Sequence, residues 1–119
     1  MTDVSETTYH ERTYGSEVIG YGEQPAIVVV DFQTAFTEEK YPLGGAPLID
    51  RAVENTARLL DVARRNEVPV ATCYTAYKGA EDMPYWKVAA VREDLIHGPP
   101  CTELDTRIYD PDYDVKFCR

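Results

Sequence analysis

The 119-residue sequence is short of basic residues, of cysteine and of histidine, and it contains no long apolar run. Twelve Lys and Arg against 21 Asp and Glu leave a net charge of −9, which argues against nucleic acid and anionic membrane surfaces as partners. No segment approaches the ~20 consecutive apolar residues needed to cross a bilayer. The first residues, MTDVSETTYHERTYG, have neither the basic start nor the apolar stretch of a signal peptide, so the expected location is the cytoplasm. Cys73, Cys101 and Cys118 are odd in number and show no C-x-x-C spacing, which speaks against a disulfide framework or a structural zinc site. There is no internal repeat and no low-complexity tract. What is present, 44% hydrophobic and 11% aromatic residues, suits a globular chain of one domain or part of one.

The chain is organised around residues 25–45, PAIVVVDFQTAFTEEKYPLGG. Residues 26–30 form an unbroken apolar run rich in β-branched side chains, which predicts a parallel strand covered on both faces. The run ends on a carboxylate, Asp31. In open α/β sheets ligands bind outside the carboxyl ends of the strands, so Asp31 is a candidate for chemistry. Asp is equally at home as a turn or N-cap residue. In the loop that follows, Pro42, Gly44, Gly45 and Pro47 fix the turns, and Phe36 and Leu43 either line a pocket or close the loop.

Residues 1–20 read as a mobile or surface lead-in, with a glycine-containing stretch over residues 9–24 laid on the surface. The clearest helix is predicted over Pro47–Arg65, where apolar residues recur three and four apart, Pro47 suits the first turn and Arg64 and Arg65 the last. Asn66 is expected to take the left-handed conformation that ends it. Residues 68–74, VPVATCY, follow as a second strand, completing a right-handed βαβ unit. Residues 75–83 then form a polar loop on the same edge as Asp31. A short, less regular helix is expected over residues 86–96, stopped by Gly98, Pro99 and Pro100. A short third strand is expected over residues 114–118.

Lys116 on that last strand shares the carboxyl edge with Asp31. The pair is either an ordinary ion pair or two members of a triad, a carboxylate base and a lysine that favours a thiolate. In order and spacing, GYGEQPAIVVVDFQTAFT, YPLGG, NTARLLDVAR, VPVATCY, Trp86-Lys87 with its helix, and GPPCTELDTRIYDPDYDVK make a recognisable set. Over residues 20–116 the chain resembles the N-terminal half of the isochorismatase-like cysteine hydrolases, within them the N-carbamoylsarcosine amidase and maleamate amidohydrolase branch.

The resemblance implies an α/β fold, a three-layer Rossmann-like parallel sheet truncated after the third strand, with residues 1–119 as the N-terminal part of a single domain. It implies strand order 3-2-1, so that the first strand becomes an edge and one sheet face loses its helices. It implies a catalytic Asp31 and a catalytic Lys116 pointing into one cleft. The family's nucleophilic cysteine matches no residue here and is expected beyond Arg119. Of the cysteines present, Cys73 reads as a core residue, Cys101 as part of a surface loop, and Cys118 as the least poor substitute nucleophile. The histidines, His10 and His97, do not match the pattern of the metal-dependent nicotinamidases, so no metal is expected, and no cofactor.

The implied function is amide hydrolysis of a small molecule through a cysteine thioester, releasing ammonia, with the substrate-distinguishing residues in the missing half. Two alternatives stand beside it. One is an isochorismatase-like vinyl-ether hydrolase. The other is a non-catalytic fragment, or a subunit completed by a partner chain or by homo-oligomerisation.

Overall fold

A computed structural model describes residues 11–13, 18–96 and 100–119. Its elements are β1 (Ile27–Val30), α1 (Thr34–Thr37), α2 (Pro47–Arg65), β2 (Val70–Tyr74), α3 (Ala89–Asp94) and β3 (Val115–Cys118). Single turns of 3-10 helix lie at Ala80–Asp82 and Pro100–Thr102. The three strands form one parallel sheet in the order β1-β2-β3, with β1 at an edge as expected. Val29 lies opposite Thr72, and Thr72 opposite Lys116.

α2 is built as its sequence suggests. Pro47 occupies the first turn with Asp50, and Arg64 and Arg65 face the negative end of the helix dipole. Its buried stripe, Val53, Leu60 and Ala63, packs on Val29, Val70 and Ile108 to form the main core. The helix end differs from expectation. Glu67, at φ +59°, takes the left-handed conformation, while Asn66 stays at φ −102°. The Glu67 N–H donates to Arg64 O (3.2 Å) and the Val68 N–H to Ala63 O (2.9 Å), the paired closure of a Schellman motif. Asn66 serves instead through its side chain, which donates to Val62 O at 2.8 Å. Val68 is thereby held in the cap, and β2 starts only at Val70.

The opposite face of the sheet is bare. Val28 is 61% exposed, Val30 47%, Val115 64% and Phe117 43%. The expected cover on both faces of β1 is therefore corrected, because α2 lies on one face and no described helix packs on the other. Cys73, between Val30 and Phe117 in the register, is buried as a small core residue should be. Most of the lead-in over residues 1–20 lies outside the described residues. Val18, Ile19 and Tyr21 are fully exposed, so they do not lie over the sheet.

Asp114 ties α2 to the start of β3. Its buried carboxylate accepts from Arg64 Nε (3.1 Å) and Nη2 (2.6 Å) and from the Asp110 N–H (3.0 Å). Arg64 Nη2 also donates to Ile108 O at 2.6 Å, so one guanidinium satisfies both the loop and the strand entry. The YPLGG loop closes because a glycine pair sits against the α1 exit. A Cβ on Gly44 would stand 2.0 Å from Glu38 O, and Gly45 adopts φ +82°.

A second cluster, Ala35, Leu95 and Cys101 with Phe36, Tyr41, Tyr77 and Val91, packs below the loops at the carboxyl edge. Cys101 is buried, not in a surface loop, and its thiol donates to Asp94 O. Burial pushes its pKa up, and the Asp94 carboxylate pushes it the same way, so it is a poor thiolate. α3 spans only Ala89–Asp94, and its expected stop at Gly98 and Pro99 lies outside the described residues.

Asp105 anchors the segment between α3 and β3. Its N–H donates to Phe32 O (2.9 Å), and its carboxylate accepts from the Arg107 N–H (2.9 Å), Nε (3.0 Å) and Nη2 (2.6 Å). Burial alone would raise its pKa, but the Arg107 contacts, with the Thr37 hydroxyl, outweigh it and hold the group below 3.8. A folded-state pKa below the unfolded value contributes stability above the unfolded pKa, lost as pH falls through the folded one. Stability to urea is therefore expected to decline below about pH 4. Asp105→Asn should flatten that decline; an unchanged slope in the variant would show that other carboxylates govern it.

Candidate active site

β1 delivers Asp31 to the carboxyl edge of the sheet. The Asp31 N–H still donates to Cys73 O (3.2 Å), and then its backbone turns left-handed, at φ +64°. Its carboxylate accepts from the Thr75 hydroxyl at 3.2 Å and from Arg119 Nε (3.3 Å) and Nη2 (2.5 Å). The carboxylate in turn raises the pKa of the Arg119 guanidinium, through the hydrogen bond first and its charge second. Two carboxylate oxygens are thus oriented by one guanidinium and one hydroxyl.

Gln33 holds the two loops in register. It is fully buried; its Nε2 donates to Thr75 O (2.9 Å), and the Thr75 N–H donates to its Oε1 (2.8 Å). This side chain extends the pairing of β1 and β2 past the strand ends and sets Thr75 against Asp31. The Arg119 N–H donates to Tyr74 O (2.9 Å), so β3 continues its pairing through the residue that reaches Asp31.

Lys116 stands elsewhere. Its row in the sheet is that of Thr72 and Val29, two residues short of Asp31, with β2 in between. Two residues of strand rise and two strand spacings, ~7 and ~10 Å, separate the backbones. The Lys116 ammonium lies 5.2 Å from the Tyr74 ring centre and 5.8 Å from that of Tyr109. The expected adjacency of Asp31 and Lys116, with a direct ion pair, is corrected: the pair that forms is Asp31–Arg119. Cys118 turns its thiol towards Ala76 O (3.6 Å) and the Tyr74 phenol, away from the Asp31 contacts.

Asp31, Thr75 and Arg119 form the polar end of a cleft of about 280 Å³ whose walls include Phe36, Tyr77 and Trp86. Tyr77 is placed by its N–H to Leu95 O (2.7 Å), and its phenol oxygen accepts from Trp86 Nε1 (3.2 Å). An apolar hollow of about 240 Å³ between Phe32, Phe36 and Leu48 opens on the other side of Asp31. Phe36 therefore does both things expected of it, lining the cleft and closing the loop cluster. A roomier surface hollow at residues 78–82, about 550 Å³, has no group in contact with Asp31.

Among the described residues, no group of three or more His, Cys, Asp or Glu side chains is arranged to hold a metal ion. His10 and His97 lie outside the described residues. No described helix is long and apolar enough to cross a membrane.

Arg119, Thr75, Gln33 and Tyr77 were not singled out by the sequence. Thr75 and Tyr77 had a usable signal, because they follow an apolar strand at the edge where Asp31 follows the first. Arg119 had only its place just past a strand of four residues.

A parallel α/β sheet with an oriented carboxylate in a cleft at its carboxyl edge is the frame of a small-molecule enzyme. Residues 25–117 match the isochorismatase domain, and the chain belongs to that family. It is 29% identical over 113 residues to N-carbamoylsarcosine amidase of Arthrobacter sp., covering 90% of this chain and 42% of the relative. It is 30% identical over 103 residues to maleamate amidohydrolase of Pseudomonas putida, covering 84% and 48%. A cysteine hydrolase from Pseudomonas syringae pv. phaseolicola 1448A shares the fold, with a TM-score of 0.70 at 24% identity over 79% of this chain and 45% of that one. The chain spans less than half the length of each of these three proteins. Its fold is the isochorismatase-like hydrolase fold.

Proposed function

We propose that this chain carries the carboxylate side of an amide-hydrolysing site of the N-carbamoylsarcosine amidase type, as the N-terminal part of one isochorismatase-like domain. The observation that carries the reading is the Asp31 carboxylate, held by Thr75 and Arg119 at the mouth of an aromatic-walled cleft. Asp31 takes the proton from a cysteine thiol, and the thiolate attacks the amide carbonyl carbon, forming the C–S bond. The C–N bond breaks, the nitrogen leaves as ammonia after gaining a proton, and water cleaves the thioester to the acid. No described thiol is in contact with Asp31, so the nucleophile comes from a further polypeptide segment or a partner chain. Lys116 is assigned the cation of the thiolate on the family resemblance alone.

The test combines the chain with a separate polypeptide carrying the cysteine-bearing half of an isochorismatase domain. Ammonia release from N-carbamoylsarcosine and maleamate is followed. The mixture is expected to release ammonia, the chain alone none, and Asp31→Asn should lower the rate at least ~100-fold, the low end for loss of a general base. A mixture indifferent to Asp31→Asn would remove Asp31 from the chemistry. Release by the chain alone that Cys118→Ala abolishes would move the nucleophile to Cys118.

A further inference from the structure

Arg119 uses only one edge of its guanidinium on Asp31. Nε and Nη2 face the carboxylate, and among the described residues nothing accepts from Nη1. The side chain is 54% exposed and lines the cleft beside Tyr77 and Trp86. Tyr77 accepts from Trp86 through its oxygen, which leaves its own O–H to donate. The outer Nη1–Nη2 edge and the Tyr77 hydroxyl are therefore donors without acceptors at the polar end of an otherwise apolar cleft.

A guanidinium edge is planar and matches the two oxygens of a carboxylate better than any single-point acceptor. The chain as a whole repels anions, with a net charge of −9, so a carboxylate lodged here is held by local contacts alone. Asp31 and Arg119 neutralise each other within the cleft, so one bound carboxylate leaves it with a single net negative charge.

We propose that Arg119 is the specificity residue of this cleft, its outer edge taking a carboxylate of the ligand while its inner edge holds Asp31. The inference rests on the amide reading above and narrows it: the ligand is a small amide that bears its own carboxylate a few bonds from the scissile group. Arg119 positions Asp31 and selects the ligand; it takes no part in bond making.

Trp86 is the chain's single tryptophan and lines the cleft, so its fluorescence reports occupancy. Three probes of nearly one shape separate the contributions: maleamate (amide and carboxylate), maleamide (two amides) and maleate (two carboxylates). Maleamate is expected to bind the unmodified 119-residue chain about tenfold tighter than maleamide, the least that a charge-assisted pair contributes. Arg119→Gln should erase that ratio while leaving the maleamide affinity unchanged. Equal binding of maleamate and maleamide by the unmodified chain would overturn the role of Arg119 and leave the amide reading standing. Maleate binding as tightly as maleamate, with loss in Arg119→Gln, would support the anion edge and count against the amide reading. No change in Trp86 fluorescence with any probe would overturn both. The comparison of probes needs no variant, so it decides the matter even where Arg119→Gln disturbs the loop.

Discussion

Asp114→Ala is expected to destabilise the chain by about 3–5 kcal/mol, the cost of removing one partner from a buried charge pair. The carboxylate is fully buried and accepts from Arg64 twice and from the Asp110 N–H. Its removal leaves the Arg64 guanidinium, whose side chain is 19% exposed, without its carboxylate partner beside Ile108. It also frees the turn that feeds β3. Domains are stable by only ~5–15 kcal/mol, so the variant should be largely unfolded at moderate urea where the parent is folded. The check is the urea midpoint followed by far-UV circular dichroism. Arg64→Met combined with Asp114→Ala should recover part of the loss, because no unpaired charge then remains. A single-variant loss below about 1 kcal/mol would show the pair to be solvated in solution.

The second large effect concerns the bare sheet face. Val28, Val30, Val115 and Phe117 together form an apolar surface beside the free hydrogen-bonding edge of β1. Such an edge is a template for another strand, and such a patch is an interface or an aggregation site. The purified 119-residue chain is expected to self-associate with rising concentration in sedimentation velocity. Val28→Lys with Val30→Lys should weaken association by about tenfold or more per substitution, since each valine buried in the interface contributes at least ~1.5 kcal/mol. The same two substitutions touch no core contact of α2, so the circular dichroism spectrum should stay unchanged. A parent chain that remains monomeric at high concentration and melts in one sharp transition would reject this account and imply a self-sufficient small domain.

The fold was legible wherever a local rule acts alone. α2 follows from its periodicity and from Pro47, Arg64 and Arg65, and the strand order follows from the resemblance. The end of α2 was misread by one residue, because Asn favours the left-handed region more than Glu does. There the choice was made by the two hydrogen bonds of the cap and by Val68 packing on the core, not by intrinsic preference. The cover over β1 was misread for a different reason. An apolar run reports what a strand is suited to, not whether a second layer is present.

At the site, Asp31 was legible as a charge that interrupts an apolar strand. Its cation was not. Lys116 and Arg119 lie three residues apart on a short strand, and only the register of β3 on β2 decides which of them reaches the Asp31 row. Register is set by pairing across the sheet, here by the Asp114–Arg64 anchor at one end of β3 and the Arg119 N–H at the other. Gln33 was hidden for a related reason. Its amide stands in for a stretch of backbone, a role that no sequence pattern marks.

The left-handed backbone of Asp31 bears on how this position can drift over evolutionary time. At φ +64° a side chain with a Cβ pays about 1–2 kcal/mol, a penalty that Gly escapes and Asn and Asp lessen by local hydrogen bonding. The neighbourhood of substitutions open to it is therefore narrow, and Glu, the usual neighbour of Asp in chemistry, lies outside it. A copy of this chain released from selection on catalysis would still be held to Asp, Asn or Gly by the turn alone. Persistence of an Asp at this position is thus weak testimony that a descendant is active. A Glu found there would mark a backbone that has already moved.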